Sequence, residues 1–323
     1  MKAIVCTELG SPEKLEIQEI ELPKINDDQV LIQVQAAGVN FPDALLVQGK
    51  YQVVQDPPFI PGNEIAGIIK EVGNNVGFKI GSKVIGLPEL GGFAEEIILD
   101  KTSVIPIDSD FPSEIAAGLP INYGTSYYAL KRRANLKKGE KLLILGAAGG
   151  IGTASIQLGK VIGAEIYAAV GSKVKEEYVK KLGADYVIRY DNENLKEKIK
   201  ELTNNEGVDV VIDPVGGEYS EDAVRGTGWN GRYLVIGFAN GEIPSIPLNL
   251  TLVKGVSIVG VWWGRWLKTA PHESMEDFEE LLELIRNKKL IIEPPEVYPI
   301  EDTARALIKF LERKNLGKAV IKF

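Results

Sequence analysis

The 323-residue chain contains one cysteine and one histidine. A single thiol, Cys6, excludes an intrachain disulfide and any metal site built from a cysteine cluster. It lies in the apolar run Ala3 to Cys6 and reads as a small core residue. His272, in the polar segment Thr269 to Ser274, reads as part of a surface loop ahead of a helix, with substrate binding as the minor alternative. Long uninterrupted apolar spans and an N-terminal signal pattern are both missing, so a cytoplasmic protein is expected. Positive charge is scarce as well. Lys and Arg number 37 against 45 Asp and Glu, a net charge of -8, which offers no general attraction to nucleic acid or an anionic membrane. There is no internal repeat and no low-complexity tract.

What is present is the makeup of an ordinary soluble globular protein, 45% apolar and 25% charged, too long for one hydrophobic core to hold comfortably, so two domains are expected. The most informative stretch is Lys141 to Gly152. Four apolar residues, Leu142 to Leu145, run into Gly146-Ala147-Ala148-Gly149-Gly150-Ile151-Gly152. Beyond it Ile151, Ala154, Ser155, Leu158 and Ile162 recur at helical spacing. Strand, glycine loop and helix in that order suit a dinucleotide pyrophosphate, which needs bare backbone and the unpaired N–H groups of a helix N-terminus. A glycine triplet alone is weak, since tight strand-to-helix turns also use glycine for packing. Its context is stronger: a second strand (Ala164 to Val170), a helix (Val174 to Leu182) and a third strand (Tyr186 to Ile188) follow.

NAD-binding folds usually carry an acidic residue about 20 residues beyond the loop, at the end of the second strand, to hold the ribose hydroxyls. This chain reads Ala168-Ala169-Val170-Gly171-Ser172-Lys173-Val174-Lys175, with no acid. A ribose phosphate would be repelled by a carboxylate and welcomed by a hydroxyl and two lysines. Cations at a helix N-terminus otherwise oppose its dipole. The residues therefore favour NADPH over NADH.

The first stretch is rich in short β-branched segments: Lys2 to Cys6, Leu15 to Ile20, Val30 to Gln35, Glu64 to Val72, Lys83 to Gly86 and Phe93 to Leu99. They predict an irregular β domain, with one short helix opened at Pro42 and closed at Gly49. From Pro112 to about Arg133 two helices are expected, broken near Pro120. Further strands at Val208 to Ile212, Arg232 to Ile236 and Val256 to Val261 complete the six of a dinucleotide fold. The tail holds helices at Met275 to Arg286 and Ile300 to Arg313 and a last strand, Lys318 to Phe323, expected to rejoin the first domain. The expected architecture is α/β: residues 1–122 with 264–323 form the irregular β domain, and 123–263 the doubly wound parallel-sheet domain.

The segments Val39-Asn40-Phe41-Pro42-Asp43, Gln48-Gly49-Lys50-Tyr51, Pro61-Gly62-Asn63-Glu64-Ile65-Ala66-Gly67, the Gly146 to Gly152 loop, Leu182-Gly183-Ala184-Asp185, Asp213-Pro214-Val215-Gly216-Gly217 and Ile236-Gly237-Phe238-Ala239 occur in a recognisable order. With them the chain resembles the medium-chain dehydrogenase/reductase superfamily, and within it the zinc-free NADPH:quinone oxidoreductase, zeta-crystallin-like branch. The likeness runs from about residue 2 to the C-terminus. It implies a GroES-like catalytic domain, a Rossmann domain for NADPH, and a homodimer or homotetramer.

The resemblance also implies site residues. Zinc-dependent relatives place cysteine at Asn40, histidine at Asn63 and a third ligand close to Ile121. Amides and an isoleucine cannot supply the N, S and O donors that zinc requires, and the four-cysteine structural zinc lobe is missing, so no metal is expected. Cofactor contacts are implied at Asn40, Asp43, Thr125, Gly149, Gly150, Ile151, Gly171, Ser172, Lys175, Tyr190, Gly237, Phe238, Ala239, Gly317 and Lys318. Catalysis without metal falls to hydrogen-bond donors, with Asn40, Asn63 and Tyr51 the candidates. Tyr51 matches the proton-donor tyrosine of enoyl-thioester reductases, or it is an aromatic lid; both readings stay open. Tyr51, Tyr123, Trp262 and Trp263 are candidate substrate contacts, and the tryptophan cluster reads equally as an oligomer interface. The implied reaction is hydride transfer from NADPH to a quinone or an activated alkene. An enoyl-CoA or acryloyl-CoA reductase, with Arg132, Arg133 or Arg265 meeting the CoA phosphates, is the alternative. A crystallin-like structural or RNA-binding protein with little turnover is the alternative of another class, and the net charge argues against RNA.

Overall fold

The computed structural model describes residues 1–51 and 54–323. The chain divides into two compact units, Met1–Ile121 with Pro294–Phe323, and Asn122–Glu293. The return to the first unit thus comes at Pro294 rather than at 264. The helices Trp263–Thr269 and Pro271–Arg286 pack with the second unit.

The first unit is a mixed sheet with strands in the order Glu296–Pro299, Ala319–Lys322, Gln29–Val39, Ile65–Val72, Lys83–Gly86 and Val104–Pro106, with Glu96–Asp100 also paired to Gln29–Val39. A two-stranded ribbon, Lys2–Val5 with Glu16–Glu19, accompanies it. The long strand Gln29–Val39 begins with alternation, Val30, Ile32 and Val34 buried and Gln33 exposed, as a half-buried strand should. From Ala36 it is buried on both faces, because Ala319–Lys322 pairs with that half and helix Ser113–Leu119 packs on it. That burial matters: the strand delivers Asn40 into a dry place.

The second unit is a six-stranded parallel sheet ordered Tyr186–Arg189, Glu165–Val170, Lys141–Ile144, Val208–Asp213, Thr227–Val235, Ser257–Gly260. In chain order this is 3-2-1-4-5-6, the doubly wound order whose direction reverses between strands one and four. Strand Lys141–Ile144 is central, with Leu142 opposite both Ile166 and Val210. A strand covered on both faces needs continuous apolar residues rather than alternation, which is why Leu142, Leu143 and Ile144 are all fully buried.

Two local expectations need correction. Pro120 does not break the helix that begins at Ser113: wide π-helical turns carry the chain helically through Pro120–Gly124 to Arg133. A proline lacks only its own N–H, and a wider turn displaces the carbonyl it would strike. His272 is not in a loop but in the first turn of helix Pro271–Arg286, where it is exposed. Pro271 at the first helical position fits that start.

Candidate active site

In the second unit, the strand Lys141–Ile144 ends in a turn at Gly146, whose φ of 59° needs glycine. Ala147 N–H donates to Ala169 O at 3.1 Å, tying the loop to the next strand. Helix Gly150–Ile162 follows, and its N-cap, Gly149, has no side chain with which to cap it. The first bond at this end is Thr153 N–H to Gly149 O, 2.8 Å; the N–H groups of Gly150, Ile151 and Gly152 have no acceptor among the described residues. The three glycines are bare for three different reasons. A Cβ on Gly152 would lie 2.5 Å from the Ala147 backbone, and one on Gly150 would collide with the Asn122 amide. A Cβ on Gly149 would meet nothing closer than Gly146 O at 3.4 Å. Gly149 is therefore the open face, and with three orphan donors behind it the loop fits a pyrophosphate.

At the end of strand Glu165–Val170, Ser172 is the N-cap of helix Lys173–Lys181, its Oγ accepting from Lys175 N–H at 3.4 Å. A Cβ on Gly171 would lie 2.9 Å from the Tyr190 ring, which in turn packs on Tyr219 with centroids 4.4 Å apart. The first acid in the helix, Glu176, is bound to Lys180 at 2.6 Å and Arg189 at 3.3 Å, and these partners hold its carboxyl below the usual range. The segment carrying Gly237, Phe238 and Ala239 is pinned to the end of strand Val208–Asp213, with Gly237 N–H to Asp213 O at 3.3 Å and Ala239 N–H to Pro214 O at 3.1 Å. Asp213, buried, fixes that end: it accepts from Val215 N–H (2.7 Å), Gly216 N–H (2.8 Å), Ser220 Oγ (2.7 Å) and the Tyr233 hydroxyl.

The remaining predicted residues of this unit divide sharply. Thr125 is half-buried, in the short turn Thr125–Tyr127. Tyr123 is buried and its hydroxyl donates to Gln157 Oε1, whose Nε2 donates to Ile291 O at 2.7 Å; burial pushes the phenol far above its ordinary range. Trp263 is buried against Gly124, where a Cβ would stand 2.5 Å from its ring, whereas Trp262 is 71% exposed. The tryptophans thus do not share one inward face. Arg132 is held by Asp277 at 2.8–3.0 Å and Arg133 Nε donates to Gly260 O at 3.0 Å; the Arg265 side chain is exposed, with no partner among the described residues.

In the first unit, Asn40 ends the long strand and caps helix Phe41–Val47, its N–H donating to the buried Asp43 carboxylate at 2.8 Å. Around it lies a network that runs through residues distant in sequence. Lys318 Nζ donates to Val39 O (3.0 Å), Asn40 Oδ1 (2.6 Å) and Glu64 Oε1. Glu64 is fully buried, and its other oxygen accepts from Ile121 N–H at 2.8 Å. An ammonium can only donate, so Lys318 forces Asn40 to present its oxygen there. The Asn40 amide nitrogen then points away, donating to Glu64 Oε1 at 2.8 Å and to Asn63 Oδ1 at 3.1 Å. Asn40 is fully occupied. Asn63, half-buried, has its oxygen fixed and its Nδ2 left without an acceptor among the described residues.

Asp43 and Tyr51 adjoin this network. Burial pushes the Asp43 carboxyl up to about 7, against the bonds from Asn40 and Gly62 N–H and the attraction of Lys318. Tyr51 is 37% exposed; partial burial, then the Asp43 charge, raises its phenol. Lys318 and Gly317, expected at the cofactor, lie buried here, with the ammonium spent on three acceptors of its own unit. Sequence reasoning passed over Asn122, and it quoted Glu64 only within a strand and a family segment, with no role at the site. A glutamate inside the apolar segment Glu64 to Ile69 is a signal that a buried cation must exist somewhere. Among the described residues no cluster of histidine, cysteine or carboxylate suited to a metal ion occurs.

Two family models match the chain: the alcohol dehydrogenase GroES-like domain over residues 26–109, and the zinc-binding dehydrogenase over 150–287. A quinone oxidoreductase-like protein 2 homolog from Nematostella vectensis is 39% identical over 326 residues, covering 99% of this chain and 88% of that protein. The quinone oxidoreductase of Thermus thermophilus, solved also with NADPH, superposes with a TM-score of 0.87 at 30% identity over 100% of both chains. The CurK enoyl reductase gives 0.88 at 28% identity, over 99% of this chain and 98% of that one.

Proposed function

The chain belongs to the quinone oxidoreductase branch of the medium-chain dehydrogenase/reductase superfamily, and from that premise we propose that it reduces a quinone or an activated alkene with NADPH. The observation that carries the cofactor half is the open Gly149 face backed by three orphan N–H groups. NADPH, when bound, supplies the hydride. Gly149, Gly150 and Ile151 hold its pyrophosphate through backbone N–H groups. Gly171, Ser172, Lys175 and Tyr190 receive the ribose phosphate, where the adjacent acids Glu176 and Asp191 are already paired, with Lys180 and Arg189.

Hydride delivery to an enone or quinone builds negative charge on the acceptor oxygen, and a fixed donor aimed at that charge lowers the barrier. In the first unit that donor is Asn63 Nδ2. Its direction is imposed by the chain from Lys318 through Asn40, so it requires no reorganisation when charge develops. Asn40 acts as a positioning residue rather than as a second donor, because its own amide is saturated. Protonation of the product carbon or oxygen falls to solvent or to the half-exposed Tyr51. Where the resemblance implies zinc ligands, this chain has Asn40 and Asn63 in a hydrogen-bonded network and the Ile121 N–H bound to Glu64, a set unsuited to zinc.

A screen of NADPH oxidation at 340 nm against quinones, enones, enals and enoyl-CoA esters tests this reading. Turnover of at least one class, with Asn63→Ala lowering kcat by about a hundredfold, is expected. No turnover of any class, or an Asn63→Ala variant of full activity, refutes it. The likeness to the CurK enoyl reductase favours enoyl thioesters as the second substrate class. Exposed Arg265 is then the cation left for a CoA phosphate, Arg132 and Arg133 being engaged within their own unit.

The assembly reading is a homodimer or homotetramer. It is supported by the edge position of strand Ser257–Gly260 and by exposed Ile258 and Trp262 beside it. A small-molecule substrate, a cytoplasmic location and no nucleic-acid or membrane partner complete it. No helix of the described residues is long and apolar enough to cross a membrane.

A further inference from the structure

A glycine in a nucleotide-binding loop leaves room for the ligand's close approach, yet at Gly150 the space a Cβ would take is filled by a protein side chain. The Asn122 carboxamide lies there, with Nδ2 its nearest atom. Asn122 is only 5% exposed, and its amide makes no hydrogen bond with any described residue. The orphan N–H groups of Gly150, Ile151 and Gly152 belong to the same helix turn. A carboxamide this enclosed has little water to bond, and set against a helix N-terminus its nitrogen stands where it can donate to an anion held by that turn. The helix is 13 residues long, so its dipole adds to the attraction for an anion.

We propose that Asn122 is a further cofactor-binding residue, its Nδ2 donating to a pyrophosphate oxygen held by the N–H groups of Gly150 to Gly152. The inference rests on the NADPH reading above and adds a side-chain donor to a loop otherwise built from backbone. Chemistry selects this ligand over others. The three backbone donors and the amide nitrogen converge on one turn, and a diphosphate has enough lone pairs to satisfy all of them. Gly150 is then bare so that Asn122 can reach the turn, and Gly149 so that the ligand can.

The test is equilibrium binding, read by quenching of tryptophan fluorescence, for wild type, Asn122→Ala and Asn122→Asp. Asn122→Ala is expected to weaken NADPH and NADH alike by about tenfold or more, the lower end for a bond to a charged group. Asn122→Asp keeps the shape but sets a carboxylate against the pyrophosphate, and is expected to weaken both by at least a further tenfold. Affinity for 2′-AMP, which lacks the pyrophosphate, should stay within twofold in both variants, which separates a lost contact from a disturbed fold. Unchanged NADPH affinity in both variants overturns the inference, as does an equal loss of 2′-AMP. Wild-type protein that binds 2′-AMP but neither dinucleotide overturns the cofactor reading itself, and this inference with it.

Discussion

Replacing Lys318 by methionine removes the cation at the centre of the first unit while keeping much of its volume. Glu64 would then be left with hydrogen bonds from Asn40 Nδ2 and Ile121 N–H, both 2.8 Å, and no counter-charge. Glu64 is fully buried and the Lys318 side chain is 8% exposed, so solvent cannot take over. Breaking a buried pair by removing one partner costs about 3–5 kcal/mol. With a urea dependence of about 2 kcal/mol per molar, the midpoint of the first unit should fall by roughly 2 M. The chain supplies its own reporters for the two units. Cys6, the single cysteine, is buried in the first unit, and all four tryptophans lie in the second. Thiol labelling of Cys6 against urea should show the shift, and tryptophan fluorescence should move far less. Adding Glu64→Gln to Lys318→Met should restore at least half of the loss, because the orphaned charge is gone. If Cys6 labelling in the single variant moves by less than about 0.5 M, or if the double variant is worse than the single, the ion pair does not hold this network together.

Asp43→Asn should change how stability depends on pH. The Asp43 carboxyl is raised from 3.8 to about 7 in the folded protein, so the folded state binds its proton more tightly. Its stabilising effect is complete below the unfolded value and is lost as pH rises from about 4 to about 7. Relative to wild type, the Asp43→Asn variant should lack that decline, a difference on the order of 4 kcal/mol between the two limits; parallel Cys6-labelling curves for the two proteins at pH 4.5 and 8 would refute it. Wild type should prefer NADPH to NADH by at least about tenfold in kcat/KM, with a margin that shrinks as salt rises. Lys175→Ala should narrow it by weakening NADPH, and equal damage to both cofactors would contradict a phosphate pocket there. Tyr51→Phe distinguishes donor from lid. Loss of enone turnover with NADPH affinity and quinone turnover retained marks a proton donor, while full activity on both substrates leaves the lid.

The strand–loop–helix unit was legible because its signals are local. Leu142 to Leu145 and Gly146 to Gly152 each depend on neighbours within a few residues, and a period of 3.6 announces the helix. The missing acid after Val170 is equally a matter of adjacent positions. The sequence by itself therefore determined the sheet-and-helix order of the second unit, the bare backbone of the loop and the lack of an acid at the end of its second strand. It could not decide what each glycine is bare for. Gly149, Gly150 and Gly152 look alike in one dimension, and only the packing of Asn122 and Ala147 separates them. Nor could it assign Lys318 to Glu64 and Asn40, which are 254 and 278 positions away. A buried charge must find its partner through space, since desolvation leaves it no alternative. Tertiary structure alone brings the C-terminal strand beside the end of Gln29–Val39, and with that contact it settles which way two asparagine side chains point.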